Sequence, residues 1–359
     1  MKIIMRYIIT IISFYFITSL SYSQSVKYSN EFLSIGVGAR ALAMSNSVVG
    51  SSNSAYWNPS GLLGINSDRE VSLMHSEYFA GIAKYDYGSF AAKFNENSAG
   101  ALSIIRFSVD DIPNTSELID GQGNINYDKV STFSSTDLAV ILSYSHSSKI
   151  EGLAFGGNAK IIRRKVGDFG SSWGFGLDLS AKYTYNKWNM GVMLRDITTT
   201  FNSWSYSLDE AMKTAFARTG NTIPVNSTEI TLPRAIIGVG RNFKFGNNIG
   251  LLAEINLDIT TDGKRNVLIK SDPFSIDPHM GFELDFKRLV FFRVGIGNIQ
   301  KETMPDNIKR TTFQPNIGLG IILMKSISID YAFTDIGNQS IALYSNVFSL
   351  KYNFNTKKD

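Results

Sequence analysis

Asn346-Val347-Phe348-Ser349-Leu350-Lys351-Tyr352-Asn353-Phe354 places Phe348, Leu350, Tyr352 and Phe354 at every second position, with Ser349, Lys351 and Asn353 between them. Successive side chains of a strand point to opposite faces, so this stretch has one apolar face and one polar face. Two stretches upstream repeat the pattern. Pro278–Phe286 sets Met280, Phe282, Leu284 and Phe286 against His279, Glu283 and Asp285, and Asn316–Met324 sets Ile317, Leu319, Ile321 and Leu323 against Asn316, Gly318 and Gly320. Segments of roughly nine to eleven residues, apolar toward lipid and polar toward a lumen, are what a membrane-spanning β-barrel requires.

Extending the same reading along the chain gives about fourteen candidate strands bounded by turn residues. They start near Glu70, Tyr85, Gly100, Asp137, Gly152, Gly174, Trp188, Arg234, Ile249, Pro278, Leu289, Asn316, Ile327 and Asn346. Asp137–His146 presents Leu138, Val140, Leu142 and Tyr144 outward, and Gly174–Thr184 presents Phe175, Leu177, Leu179, Ala181 and Tyr183. Links after even strands are short, near Glu96, Ser148, Asn186, Asn247, Lys287 and Lys325. Links after odd strands are mostly long, at Ser108–Thr136, Arg164–Trp173, Asp196–Pro233, Ile259–Asp277, Asn298–Pro315 and Thr334–Ser345. Short periplasmic turns alternating with longer external loops are the rhythm of outer-membrane barrels, which in bacterial single chains have an even strand number. The sequence therefore predicts an all-β fold: a transmembrane outer-membrane β-barrel of antiparallel strands over 69–354, with both termini periplasmic and 355–359 as a periplasmic tail. Aromatic residues near strand ends (Trp173, Tyr183, Tyr185, Trp188, Phe286, Phe291, Tyr331, Phe354) are expected to form the interfacial girdle.

Residues 1–23 read as a cleaved secretory signal peptide: Lys2 and Arg6 precede an apolar run from Tyr7 to Leu20 and a small-residue exit at Ser21-Tyr22-Ser23. The chain has no cysteine, which excludes disulfides, thiol catalysis, Cys-based metal sites and attachment through a lipidated Cys. Hydrophobic residues make up 43%, compatible with strands that each turn one face to a polar lumen. Without Lys2 and Arg6 the 35 basic residues become 33 against 31 acidic ones, a balance that gives no support for nucleic-acid binding.

Residues 24–68 lack the strand pattern but are too apolar and aromatic for a disordered tail. They are expected to fold into the lumen as a hatch, with Pro59 fixing a turn after Asn58. Phe32-Leu33-Ser34-Ile35-Gly36-Val37-Gly38-Ala39-Arg40-Ala41-Leu42-Ala43-Met44, followed by Ala55-Tyr56-Trp57-Asn58-Pro59-Ser60-Gly61-Leu62, resembles the N-terminal signature of the PorV/PorQ family of Bacteroidota outer-membrane proteins. Asp330-Tyr331-Ala332-Phe333-Thr334-Asp335-Ile336-Gly337-Asn338 and Phe348–Tyr352 resemble that family's C-terminus. Asn58-Pro59-Ser60 is similar to the hatch element of FadL-like fatty-acid transporters, which share the fourteen-strand architecture. The resemblance implies a non-enzymatic accessory of type IX secretion. Its partners would be the large translocon barrel, an attachment-complex protein or a cargo's C-terminal signal domain, besides outer-membrane lipid. The hatch motif would comprise Gly36, Gly38, Arg40, Trp57, Asn58 and Pro59. The alternative is a FadL-like transporter of a hydrophobic or amphipathic small molecule.

No catalytic, cofactor or metal site is read from the sequence. Gly170-Ser171-Ser172-Trp173-Gly174 has the letters of a nucleophile elbow but leads into a strand. His75, His146 and His279 fall in different strands without ligand spacing. Asp110-Asp111 and Asp258 with Asp262 read as solvated loop charge rather than a Ca²⁺ site. Gly238-Val239-Gly240 and Gly295-Ile296-Gly297 are expected to let a plug approach the wall closely. Inward positions Lys160, Asp178, Lys182, Glu254, Glu283 and Asp330 are candidates for a polar lumen path, or for a lumen salt-bridged to the plug. In the longest loop, Ser207 with Glu210 reads as a capping box before a stripe containing Leu208, Met212 and Phe216. That helix is expected to lid the mouth or dock a partner.

Overall fold

The computed structural model describes residues 29–356 apart from 79–80, 120–121, 219, 221, 304–307 and 337–343. The expected signal peptide, the first residues of the expected hatch and the last three of the tail lie outside the described residues. The strands are β1 (Arg69–Tyr78), β2 (Ala83–Asn95), β3 (Ser98–Asn114), β4 (Ser131–Ser147), β5 (Leu153–Val166), β6 (Gly170–Tyr185), β7 (Trp188–Arg195), β8 (Thr200–Tyr206) and β9 (Ser227–Thr231). They continue as β10 (Arg234–Phe245), β11 (Ile249–Thr260), β12 (Ser275–Phe286), β13 (Val290–Thr303), β14 (Lys309–Leu323), β15 (Ile327–Thr334) and β16 (Ser345–Phe354). All are antiparallel to their neighbours. Pairing of β1 with β16 and of β5 with β6 closes the sheet, so fourteen strands form the wall, with β8 and β9 as extensions of it. Closure pairs the backbone that lipid could not satisfy.

The wall departs from the sequence reading above the lipid band. β7 meets β6 at Leu194 opposite Leu179, and β8 resumes at Phe201 opposite Phe175. Four steps on β6 therefore face seven on its partner. The surplus is a bulge in which Asp196 (φ 56°) and Thr199 (φ 59°) take the left-handed conformation. On the next strand Leu232-Pro233 separates β9 from β10, where a proline can give no N–H to a ladder. The expected loop Asp196–Pro233 is thus largely a broken hairpin. Likewise the expected loop Arg164–Trp173 shrinks to the turn between Val166 and Gly170, and β3, β4, β13 and β14 all run past their expected ends. Outside the lipid both faces of a strand are polar, so the apolar alternation that marks a strand disappears although the strand does not.

Residues 29–68 occupy the lumen. Ser29 and Asn30 sit at the rim carrying the long loops, bonded to β8 and β9. The chain then crosses to the opposite rim, where β1 starts. On the way it forms a short helix α1 (Ala39–Ala43) against β13–β16, and a 3-10 turn (Pro59–Gly64) against β3–β6. Val37, Ala39, Ala43, Met44, Val48, Val49, Tyr56, Trp57 and Leu62 are all at most 5% exposed, and all but Leu62 form one apolar core with inward wall residues such as Tyr85, Ile105, Ile141 and Met193. Glycines make room for it. A Cβ on Gly295 would lie 2.3 Å from the Met44 carbonyl carbon, and one on Gly156 would lie 2.4 Å from Ser60 N. Phe291 is a correction to the expected girdle: it faces inward, with the Arg293 guanidinium 5.1 Å above its ring.

Candidate functional site

The lumen around the hatch is a set of charged clamps. On β12, Glu283 accepts from Arg40 Nε at 2.7 Å and Nη2 at 3.1 Å, and from Arg293 Nε at 2.6 Å. Arg293 also donates to Asp330 at 2.7 Å, so a ladder of alternating charge ties α1 to three strands. Burial disfavours the Arg40 cation, but Glu283 more than compensates and holds it above its ordinary pKa. On β11, Glu254 is fully buried and accepts from Gly50 N at 2.7 Å and Ser51 N at 3.2 Å, carrying its charge into hatch backbone. Lys182 Nζ donates to the Ser52 carbonyl at 2.8 Å and Asn53 Oδ1 at 3.1 Å.

A second cluster lies nearer the loop rim. Lys160 bridges Asp178 at 2.7 Å and Asp196 at 2.5 Å, and Asp178 also accepts from Asp196 N at 2.9 Å. Asp196 is available only because the bulge turns it inward. Arg195 lies 4.3 Å from the Tyr56 ring centroid and 5.4 Å from that of Trp57, and donates to the Leu33 and Tyr56 carbonyls at 3.2 Å each.

The hatch motif supplies the counterparts. Gly36 has φ 100°, and a Cβ there would meet the Trp57 ring at 2.8 Å. Gly38 precedes α1 and donates its N–H to Met74 Sδ at 2.9 Å. Trp57 Nε1 donates to the Val37 carbonyl at 2.8 Å. Asn58, fully buried, caps the turn that Pro59 starts by accepting from Ser60 N at 3.2 Å, while its Nδ2 donates to Val49 O at 2.8 Å. The structure thus brings the hatch motif and the six lumen candidates into one packed network. Arg195, Arg293 and Asp196 belong to it but were not singled out in the sequence. The signal for Arg293 was its inward parity opposite Glu283.

Two cavities of about 320 Å³ each flank α1. The turn-side cavity meets Arg40, Ala41, Glu70, Tyr87, Asp330 and Lys351, and the loop-side one meets Leu42, Ser45, Asp277, His279, Asn316 and Asp335. Away from the lumen, the loop helix α2 (Glu210–Arg218) half-buries Leu208, Met212 and Phe216. Its cap differs from the expected capping box: Asp209 Oδ1 accepts from Met212 N at 2.7 Å. Among the described residues no group of three His, Cys, Asp or Glu could hold a metal ion, and no helix is long and apolar enough to cross a membrane.

Fold and plug together define an outer-membrane-type, FadL-like β-barrel closed by its own N-terminal segment. Among solved structures, the chain is similar to the toluene transporter TodX of Pseudomonas putida (TM-score 0.56, 12% identity, 89% of this chain and 99% of that one). It is similar also to the CymD monoaromatic hydrocarbon channel (TM-score 0.55, 12% identity, 90% and 99%) and to the Ralstonia pickettii toluene transporter TbuX (TM-score 0.53, 13% identity, 89% and 98%). At these identities the likeness shows the fold. No protein-family model and no curated protein matches the chain.

Proposed function

We propose that this barrel passes a small amphipathic molecule across the outer membrane, with the N-terminal hatch as its gate. The observation that carries the reading is the pair of cavities that meet the hatch at α1, one lined by Val37–Ala41 and the other by Leu42 and Ser45. A cavity of about 150 Å³ accepts benzene, so about twice that volume suits a substituted aromatic ring or a ligand of similar size. The turn-side lining mixes Val37, Trp57, Leu62 and Tyr87 with Arg40, Glu283 and Lys351, which fits a molecule with an apolar body and a polar head better than a bare hydrocarbon. The hydrocarbon channels of like fold support the size of the ligand, and the charged lining argues for its polarity.

Uptake into proteoliposomes tests this. Phenols and aromatic acids should enter faster through the purified barrel than through protein-free vesicles, and faster than a sugar of equal volume. Uptake equal to that of protein-free vesicles would reject the channel.

A second reading, a PorV/PorQ-like accessory of type IX secretion, is favoured by apolar side chains that the loop rim leaves in water. Tyr127 is 75% and Val225 72% exposed, and Ile125, Phe274 and Ile308 of the long loops are also exposed. The α2 stripe would belong to such a surface. The comparisons with known proteins give this reading no support. A mild-detergent pull-down from native membrane separates the two: a translocon barrel, an attachment-complex protein or signal-domain cargo would co-purify only with an accessory.

A further inference from the structure

The outward face of the barrel is uneven in height. On β6 the outward residues are apolar from Trp173 through Phe175, Leu177, Leu179 and Ala181 to Tyr183, ten residues apart. At about 3.3 Å per residue and a tilt near 40° this spans ~25 Å, the height of an ordinary apolar band. β11 from Ile249 to Ile259 and β14 from Phe313 to Leu323 match it. On β1 only Val71 and Leu73 lie outward between Arg69 and His75, six residues apart and ~15 Å along the normal.

Above that narrow belt, charge faces outward. His75, Asp86 and Arg106 form one row across β1, β2 and β3. His75 Nδ1 is 2.7 Å and Arg106 Nη1 3.6 Å from the Asp86 carboxylate, and Lys84 reaches Asp110 at 3.3 Å. These side chains are 37–52% exposed, beside the lipid-facing Leu73, Phe90, Leu102 and Ile104. A full-height bilayer would bury this row among acyl chains, where ionised groups are costly. Arg106 and Lys84 supply phosphate donors.

We propose that the β1–β3 sector is a headgroup-binding face. Phosphates and water of the loop-side leaflet descend onto the row His75–Asp86–Arg106, and the bilayer is locally thinned by ~10 Å relative to the β6 side. The barrel thus sits in a bilayer that is thin beside β1–β3 and full-height at β6, β11 and β14.

The cysteine-free chain allows a direct test with single spin labels. Phe348→Cys lies on β16 in the same row as His75, and Leu179→Cys lies on β6. Each is outward, and each is six residues from the turn-rim end of its strand (Phe354 and Tyr185), so both leave the charged row intact. In dioleoylphosphatidylcholine vesicles, the 348 label should collide with a water-soluble nickel chelate, relative to oxygen, several-fold more than the 179 label. The triple variant His75→Leu, Asp86→Leu, Arg106→Leu should bring the 348 label down to the 179 value. Equal depth of the two labels in the otherwise native chain would overturn the proposal without need of the triple variant. Dipolar broadening between 348 labels would overturn it too, by showing that a second copy covers the face.

Discussion

Glu283→Met should loosen the hatch while leaving the barrel wall standing. Glu283 holds both Arg40 of the hatch and Arg293 of β13, and its own side chain is 12% exposed. Removing one partner of a buried pair costs about 3–5 kcal/mol, because the remaining charge stays desolvated. Here Arg293 keeps Asp330, and the Arg40 side chain is 30% exposed toward the turn-side cavity, so the lower end applies. About 3 kcal/mol corresponds to a roughly 150-fold larger population with the hatch displaced. Hydrogen exchange of the backbone amides in 39–52 reads this directly, since opening of the segment exposes Gly50 and Ser51 N–H, now held by Glu254. Those amides should exchange about two orders of magnitude faster in the variant, and those of β11 and β12 should not change. The double variant Arg40→Met, Glu283→Met removes both charges and should return most of the protection. The reasoning is refuted if the single variant exchanges like the parent, or if the double variant is as open as the single.

Three further outcomes follow from the same packing. Gly295→Leu places a side chain where Met44 and Ser45 backbone stand, so α1 should be expelled from an otherwise closed barrel, read as new trypsin cleavage at Arg40 with unchanged heat-modifiable migration; an uncleaved Arg40 would contradict the close packing. Arg195→Lys loses the planar stack on Tyr56 and the fork onto two carbonyls, and should lower the thermal midpoint of hatch release by an amount equivalent to about 2 kcal/mol, whereas an unchanged midpoint would make the stack incidental. In the β11–β12 loop, burial pushes Asp262 up but the Arg265 guanidinium outweighs it and holds the carboxyl below its ordinary pKa. The stabilisation is therefore complete above about pH 4 and is lost as pH falls through the lower folded value, so the protection of amides in 261–274, corrected for the intrinsic slowing of exchange in acid, should fall between pH 5 and pH 2.5, whereas Asp262→Asn should show no such step.

The lipid-facing half of this structure was legible in the sequence because it obeys one rule. Leu138, Val140, Leu142 and Tyr144, or Phe282, Leu284 and Phe286, alternate because lipid lies on one side and water or plug on the other, and that alternation places twelve of the fourteen expected strand starts within four residues of those observed, while β4 and β14 begin six and seven residues earlier than expected. Where lipid ends the rule ends. Thr200–Tyr206 alternates Asn202 and Trp204 inward with Ser203 and Ser205 outward, which no hydrophobicity pattern marks as a strand. The bulge at Asp196 has no sequence signature beyond an aspartate tolerant of positive φ, yet it creates the acidic side of the Lys160 cluster. The composition of the hatch and its Asn-Pro turn are the sequence's grounds for expecting a plug, and the parity of Glu254 and Glu283 is legible in their strands. What could not be read is which charge meets which. That pairing depends on how a 40-residue irregular segment threads the lumen from Ser29 at one rim to Asp68 at the other. A strand fixes the direction of a side chain but not its partner. For this reason the lipid-facing wall follows from alternation, while the charge pairs that hold the hatch had to be seen.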